Sequence, residues 1–187
     1  MNDTRQVAKG LIGKLLVREY DGRRLSGIIV EVEAYRGFDD TASHAHKGLT
    51  ERCKVMFGDA GHVYVYLTYG VHFMLNLVTE KKYFPSAVLV RAIEPKEGVE
   101  DMFKNRNVEV KYDLTNGPGK LTKALNIKKN LNGKSITSRK SLWVEKIDIS
   151  KDFIIESAPR IGIDYAEERS RNQKWRFFIK GNKYVSK

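Results

Sequence analysis

The spacing of apolar residues changes from helical to strand-like within the first forty positions. In DTRQVAKGLIGKLL, apolar residues recur three or four positions apart after a helix-capping candidate, Asp3 or Thr4, which predicts a helix. The following LLVREYDGRRLSGIIVEVEAY holds two strand-like runs on either side of Asp21 and Gly22. Asp-Gly is a strong signal for a tight hairpin turn. The chain is therefore predicted to begin with a helix and a β-hairpin.

The remainder of the chain alternates between strand and helix patterns. Strands are predicted in HVYVYLTY, FMLNLV, SAVLVRAI and WRFFIKGNKYVS, and helices in GVEDMFKNRN and GPGKLTKALNI, the second after a Gly-Pro break. The polar, basic NIKKNLNGKSITSRK is predicted to be a mobile loop. Since the strands are mostly adjacent in sequence, we predict one α+β domain over residues 1–187. Its core would be a curved antiparallel or mixed sheet with surrounding helices.

Two strand segments carry polar or aromatic side chains on one face. In GIIVEVEAY, alternation predicts a core face of Ile28, Val30, Val32 and Ala34 and an opposite face of Glu31, Glu33 and Tyr35. In HVYVYLTYG, it places Tyr64 and Tyr66 together, with Tyr69 just before a turn at Gly70. Both faces could be ordinary solvated or packed sheet surfaces. They could equally form a cleft that holds a general base beside stacking rings.

The positive charge is concentrated in the second half of the chain. Residues 1–100 hold 14 Lys and Arg against 13 Asp and Glu, whereas residues 101–187 hold 20 against 10. Such a surface suits a phosphate backbone, an anionic membrane or another acidic partner, although it also serves solubility. Aromatic residues close to the cations, in VYVYLTYG and NQKWRFFIKG, favour nucleic acid, whose bases stack on aromatic rings.

Composition excludes several other classes of protein. The chain is 41% hydrophobic and 30% charged, as in globular proteins. Its apolar runs are far shorter than the ~20 residues of a membrane span, and MNDTRQVAKG has no signal-peptide core. A single cysteine, Cys53, excludes an intramolecular disulfide. We therefore expect an intracellular protein with no membrane partner.

Four segments together resemble the alkyladenine (3-methyladenine) DNA glycosylase family: GIIVEVEAYRGFDDTASHAHKGLTER, MFGDAGHVYVYLTYGVHFMLNLV, AVLVRAIEP and NGPGKLTKALNI. They occur in the family's order over most of the chain, and the C-terminal PRIGIDYAEERSRNQKWRFFIKG is similar but looser. The resemblance implies a monofunctional enzyme of base excision repair. It would flip an alkylated or deaminated purine, such as 3-methyladenine, 7-methylguanine, ethenoadenine or hypoxanthine, out of double-stranded DNA and hydrolyse the N-glycosidic bond, leaving an abasic site.

The resemblance also implies how the protein works and where. It implies no cofactor, no metal and no obligate protein partner, and we expect a monomer. It would act in the cytoplasm or nucleoid of a prokaryote, or in the nucleus of a eukaryote. Ala60 departs from the family, which usually has proline there, and Cys53 stands where asparagine is common. Neither position belongs to the family's pocket.

Site residues are carried over one by one from the family. Glu33 matches the carboxylate that activates water, Arg91 matches the arginine that helps to hold that water, and the carbonyl of Ile161 matches a further water ligand. Tyr35, His44 and Tyr66 match the walls around the flipped base, Tyr69 matches the wedge that fills the gap in the helix, and Asn76 matches the side chain that crowds the amino group of guanine. Glu31 is expected to be a solvated or salt-bridged acid without a catalytic role.

Two other functions remain open from the sequence. His44 and His46, with Asp39 and Asp40 nearby, could bind a metal in a hydrolase, but they lie in a glycine-flanked loop without a third ligand at a telling spacing. A non-catalytic RNA-binding module would explain the charge and the tyrosines. It would not explain Glu33 and Arg91.

Overall fold

The computed structural model describes residues 3–147 and 152–186. Within these ranges the strands are β1 (Leu15–Tyr20), β2 (Arg23–Arg36), β3 (Val63–Thr68), β4 (His72–Val78), β5 (Ser86–Glu97), β6 (Leu142–Glu145), β7 (Ile155–Ala158) and β8 (Arg176–Ile179). The α-helices are α1 (Thr4–Leu11), α2 (Val99–Arg106), α3 (Pro118–Ala124) and α4 (Glu168–Arg171). The strands form a single curled sheet in which every pairing is antiparallel, in the order β3-β4-β5-β2-β1-β6, with β8 on β2 and β7 on β8.

The predicted α+β class is confirmed, and the hairpins form at the predicted turns. Asp21 and Gly22 both have positive φ, and Tyr20 pairs with Arg23 across them, as a tight two-residue turn requires. Three short elements, β6, β7 and α4, were not predicted, and the final strand is shorter than predicted. In the part of the chain that the structure describes, no helix has the length and apolarity needed to cross a membrane.

Strand β2 is the centre of the sheet. One of its edges pairs with β5 along most of its length. The other edge pairs with β1 up to Ile28 and with β8 from Glu31 to Glu33. The register between β2 and β5 is irregular at two places, around Gly27 and around Glu31. Such irregularities bend a strand and re-aim its side chains, so β2 can belong to two halves of the curled sheet.

The irregularity near Glu31 makes one sequence prediction wrong. Val32 and Ala34 do lie in the main core, together with Ile29. Ile28 and Val30 instead pack in a second cluster with residues of β1, β5 and β6, among them Trp143. Strict alternation would have placed Ile28 and Val30 with Val32, but the extra residue in the pairing exchanges the faces.

A loop covers the free edge of β3. The loop predicted in NIKKNLNGKSITSRK is observed, with a short 3-10 turn at Lys129–Leu131. It is not free, because the Asn132 side chain accepts a hydrogen bond from the backbone N–H of Val65, and Gly133 donates to the carbonyl of Val63. This part of the loop is therefore bonded to β3, and the mobility of the loop stays a prediction. Covering an edge strand in this way protects it from pairing with other chains.

We expect Gly27→Ala to destabilise the fold, because an added Cβ would lie 2.8 Å from the Cδ1 of Ile93 and 2.9 Å from the carbonyl oxygen of Glu94. Overpacking of this kind costs roughly 1–3 kcal/mol, measurable as a lower midpoint of denaturant unfolding. Gly10→Ala is the control, since Gly10 lies in α1 with nothing within 4 Å of the added Cβ. That change should stabilise by roughly 0.5–1 kcal/mol. Equal effects of the two changes would contradict the close packing of β2 on β5.

Candidate active site

A cleft of about 270 Å³ opens between the hairpin of β3 and β4, the middle of β5, and two loops. One loop, residues 40–45, follows β2, and the other, residues 161–165, follows β7. Seven of the eight predicted site residues line this cleft: Tyr35, His44, Tyr66, Tyr69, Asn76, Arg91 and Ile161. The eighth, Glu33, lies beneath them and is fully buried.

Glu33 is held below the cleft by three donors. Its Oε1 accepts one hydrogen bond, from the backbone N–H of Ile161 at 2.7 Å. The same oxygen forms an ion pair with Arg91, whose Nη1 lies 3.2 Å away. Its Oε2 accepts from the hydroxyl of Tyr35 at 2.9 Å. Burial raises the pKa of Glu33 above its ordinary value of 4.5, and these three donors oppose that effect. The carboxylate is thus more basic than an exposed glutamate.

The N–H of Ile161 is the group that the structure places on Glu33. The sequence assigned a role to the carbonyl of this residue, as a ligand of water, and that role stays a prediction. Ile161 also lines the cleft and is partly exposed. The segment after β7 therefore contributes both a donor to the carboxylate and part of the wall above it.

A second buried carboxylate adjoins the first. Glu31 accepts a hydrogen bond from Nε of Arg91 at 3.1 Å and from Nη1 of Arg176 at 3.0 Å. It also accepts from the backbone N–H and the hydroxyl of Ser186. The expectation that Glu31 is salt-bridged is thus confirmed, and the alternative of a solvated side chain is excluded by its complete burial.

A buried ion pair supports the wall formed by Tyr35. The guanidinium of Arg160 forms two hydrogen bonds with the carboxylate of Asp40, at 2.6 and 2.7 Å, and lies 4.6 Å from the centre of the Tyr35 ring. Asp40 begins the loop that carries His44, and Arg160 immediately precedes Ile161. The pair therefore fixes both loops of the cleft against the same ring.

Three further aromatic side chains that line the cleft, His44, Tyr64 and Tyr66, contact one another. The ring of His44 packs edge-on against Tyr66, with centroids 4.5 Å apart, and its Nδ1 lies 3.1 Å from the hydroxyl of Tyr64. Tyr64 and Tyr66 share a face of β3 as predicted, with centroids 5.2 Å apart. Burial, with a smaller contribution from the charge of Arg52, lowers the pKa of His44 to about 4. The imidazole is therefore neutral at neutral pH.

Asn76 is a strand residue that faces the cleft, not a turn residue. It lies in the middle of β4 and is buried. Its side-chain nitrogen donates to the carbonyls of Tyr64 at 3.2 Å and Met74 at 3.4 Å. These bonds to two backbone groups hold the amide in one orientation.

Tyr69 projects from the tip of the β3–β4 hairpin. It has a φ of 50°, Gly70 follows with 71°, and Val71 donates to the carbonyl of Thr68 to close the turn. Its side chain is 88% exposed, and its neighbours Leu67 and Val71 are also exposed. The hairpin thus presents an apolar tip beside the mouth of the cleft.

The histidines of the loop do not act together. His44 contacts Tyr64, whereas Nδ1 of His46 bonds to the carbonyl of Phe38. In residues 3–147 and 152–186, no three His, Cys, Asp or Glu side chains are grouped as metal ligands would be. Because the imidazoles of His44 and His46 bond to separate partners, the structure gives no support to the alternative function of a metal hydrolase.

Sequence reasoning missed three residues of the site. Arg160 and Asp40 are 120 positions apart, and a lone loop acid gives no sign of its partner. Tyr165 lines the mouth of the cleft and donates its hydroxyl to the carbonyl of Ala42, which ties the two loops together. In the segment PRIGIDY the family resemblance marks only Ile161, although the arginine and the tyrosine of this segment flank the same site.

Comparison with known proteins gives a consistent result. The family model described as methylpurine-DNA glycosylase (MPG) matches residues 1–183. A Clostridium perfringens protein is 50% identical over 99% of this chain and 95% of its own length. Relatives from Clostridium novyi and Bacillus cereus are 46% and 45% identical, over 99% of this chain and 94% and 95% of their own lengths. All three bear the name "Putative 3-methyladenine DNA glycosylase". The chain therefore belongs to the methylpurine-DNA glycosylase family of DNA repair enzymes.

Proposed function

We propose that this DNA glycosylase flips an alkylated or deaminated purine from duplex DNA into the cleft and hydrolyses its N-glycosidic bond with water activated by Glu33. One observation carries the proposal: Glu33 is a fully buried carboxylate directly beneath an aromatic cleft. If this face of β2 were an ordinary solvent-facing sheet surface, the Glu33 carboxylate would be solvated. A carboxylate of raised pKa at the base of a cleft is suited to general-base catalysis.

Flipping begins at the hairpin. The exposed ring of Tyr69, with Leu67 and Val71 beside it, enters the duplex and replaces the stacking that the flipped base gives up. Extrusion of a base costs a few kcal/mol, and less for a damaged or mispaired one. The cost is therefore offset at the hairpin tip and again in the cleft.

The flipped base is held between Tyr35 on one side and His44 and Tyr66 on the other. Since His44 is neutral, it does not repel an alkylated purine that carries a positive charge. Tyr35 keeps its proton because burial and the charge of Glu33 raise its pKa well above the ordinary value. It can therefore stack on the base and donate to Glu33 at the same time.

The chemical step is a hydrolysis. Positive charge builds up on the sugar as the bond between C1′ and the purine nitrogen breaks, and its electron pair leaves with the base. Water adds to C1′ and gives a proton to Glu33. Among the residues that the structure describes, its Oε2 accepts one hydrogen bond, from Tyr35, and so has acceptor capacity left. The negative carboxylate also stabilises the charge on the sugar. A cationic alkylated purine leaves as the neutral base, and the proton taken up by Glu33 is then released to solvent. A neutral lesion such as hypoxanthine leaves as an anion and takes up one proton in place of that release. The products are the free base and an abasic site.

Normal guanine is excluded by Asn76. The amide is fixed by the carbonyls of Tyr64 and Met74, so it cannot swing aside for the exocyclic amino group of guanine. Adenine-derived and hypoxanthine bases lack this group. 7-Methylguanine keeps it, so its release would have to rely on the positive charge that makes this base a better leaving group than normal guanine. Selectivity would thus depend on one rigid amide among the side chains that line the cleft.

The partner is double-stranded DNA, and the enzyme acts as a monomer without cofactor or metal. Not every cation of the basic half is free for phosphates, since Lys120 bonds to Asp113 and Arg176 bonds to Glu31. The enzyme would work beside its substrate, in the cytoplasm or nucleoid of a prokaryotic cell.

The proposal is tested by incubating the protein with a duplex that holds one ethenoadenine or hypoxanthine. We expect Glu33→Gln to bind this duplex nearly as the wild type does, because Tyr35, His44 and Tyr66 hold the base. Its single-turnover rate of base release should fall by ~10²–10⁴-fold, the usual cost of losing a general base. Glu97→Gln, a change at an exposed ion pair with Arg24, is the control. Binding by the wild type without release of base would instead identify a non-catalytic module.

Tyr69→Ala should weaken binding to damaged duplex DNA by ~1–3 kcal/mol, the worth of one base–aromatic stack. Tyr83→Ala is a matched control, since Tyr83 is also an exposed tyrosine of positive φ in a turn. Both changes place alanine in the same strained backbone region. If the two variants bound an abasic-analogue duplex equally well, Tyr69 would not be the wedge.

Asn76→Ser should raise the excision of undamaged guanine relative to ethenoadenine, because serine is shorter and cannot span to both carbonyls. The ratio of the two single-turnover rates is the measurement, so a general loss of activity cancels. Thermal unfolding of the variant shows whether the strand is intact. An unchanged ratio in a folded variant would make the amide purely structural.

A further inference from the structure

Arg91 is shared between two buried carboxylates. Its Nε donates to Glu31 at 3.1 Å, and its Nη1 lies 3.2 Å from Glu33. Both glutamates are inaccessible to solvent, and Arg91 is nearly so. One guanidinium therefore serves two negative charges at once, and neither receives the full two-bond pairing that an arginine can give a carboxylate.

Glu31 is itself held by further donors, and one of them, the hydroxyl of Ser186, also accepts a hydrogen bond from Nη2 of Arg91 at 3.2 Å. Arg176 donates to its Oε1 at 3.0 Å, the hydroxyl of Ser186 donates to the same oxygen at 2.8 Å, and the backbone N–H of Ser186 donates to its Oε2 at 2.7 Å. These partners come from β8 and from the C-terminal segment after it. The irregular pairing of β2 with β5 at Glu31 brings the side chain to them. Glu31 is thus fixed in place and cannot turn away from Arg91.

We propose that Glu31 is a positioning residue for base excision, which holds Arg91 between the two carboxylates and so limits how strongly Arg91 pairs with Glu33. The inference rests on the proposed function. A general base must remain able to take a proton, and a full pairing with arginine would make Glu33 too weak a base. Glu31 acts through Arg91 and does not touch the reacting atoms.

The charges around Glu33 agree with this arrangement. The groups that face Glu33, directly or through Glu31, are Tyr35 and Glu31 on β2, Tyr66 on β3, Arg91 on β5, Arg160, Ile161 and Tyr165 from the segment after β7, and Arg176 on β8. Burial raises the pKa of Glu33 most, and the negative charge of Glu31 raises it further. Arg91, the N–H of Ile161 and the hydroxyl of Tyr35 lower it. Removal of Glu31 would take away one of the two raising effects and release Arg91 to strengthen a lowering one.

The test uses two changes of opposite sign. Glu31→Gln removes a negative charge and keeps the size of the side chain, whereas Arg176→Gln removes the second cation that bonds to Glu31. We measure single-turnover release of one lesion base from about pH 4 to 9, where the acid limb reports the ionisation of the general base in the complex. In parallel, ¹³C NMR of glutamate-labelled protein follows the Glu33 carboxyl carbon, assigned by its loss in Glu33→Gln.

In Glu31→Gln we expect the acid limb and the NMR titration of Glu33 to move to lower pH. The plateau rate should fall by only about 3- to 10-fold, because a weaker base still accepts a proton. In Arg176→Gln the acid limb and the NMR titration of Glu33 should both move to higher pH. Glu97→Gln should leave both where the wild type has them. General damage to the fold would not shift the two variants in opposite directions.

The role of Glu31 would be overturned if the pH profiles of both variants coincided with that of the wild type. It would also be overturned if the profiles of both variants moved in the same direction. If Glu31→Gln did not fold, Arg176→Gln would carry the test through the direction of its shift. If the wild type released no base from any lesion, the proposed function would fail. The NMR titration would then still decide whether Glu31 sets the ionisation of Glu33.

Discussion

A carboxylate removed from water must be compensated by donors buried with it, and this constraint governs the structure. Taking an ion out of water costs several kcal/mol even after the protein relaxes. Glu33 and Glu31 are both fully buried, on the most central strand of the sheet. Their compensating donors come from β5, from the segment after β7, from β8 and from Ser186 near the C-terminus. Packing of the C-terminal part of the chain on β2 is thus a condition for the site to exist.

The same constraint explains why the central strand is irregular. A regular β2 would keep Ile28 and Val30 on the face of Val32, in the main core. The irregularity at Glu31 instead gives these two residues to a second apolar cluster and lets β8 replace β1 along the edge of the strand. Arg176 reaches Glu31 from β8. The bend therefore encloses the charges with their partners, and it also curls the sheet around the cleft.

The sequence predicted what depends on local pattern. Alternation and turn residues located the hairpins and placed Tyr64 with Tyr66, and the family resemblance selected the residues that gather at the cleft. What could not be predicted depends on contacts between distant positions. Alternation assumes regular pairing, so it missed the exchange of faces at Glu31. Nothing in a loop acid such as Asp40 indicates that Arg160 will bury it. The polar composition of the loop at Asn132 likewise gives no sign of the hydrogen bond that joins it to the edge of β3.

The chain has a net charge of +11 but buries negative charges at the cleft, and the arginines beside these charges explain how it can do so. Three carboxylates beneath and beside the cleft, of Glu31, Glu33 and Asp40, are matched by three guanidiniums, of Arg91, Arg160 and Arg176. This network is balanced, so it adds nothing to the positive charge that would attract DNA. That attraction must come from cations elsewhere on the surface. In the proposed reaction, a balanced network neither repels a cationic base on entry nor holds it too tightly. Of the three carboxylates, Glu33 is the one that bonds to both Tyr35 and Ile161, which line the cleft, and in the proposal its charge stabilises the sugar as the bond breaks.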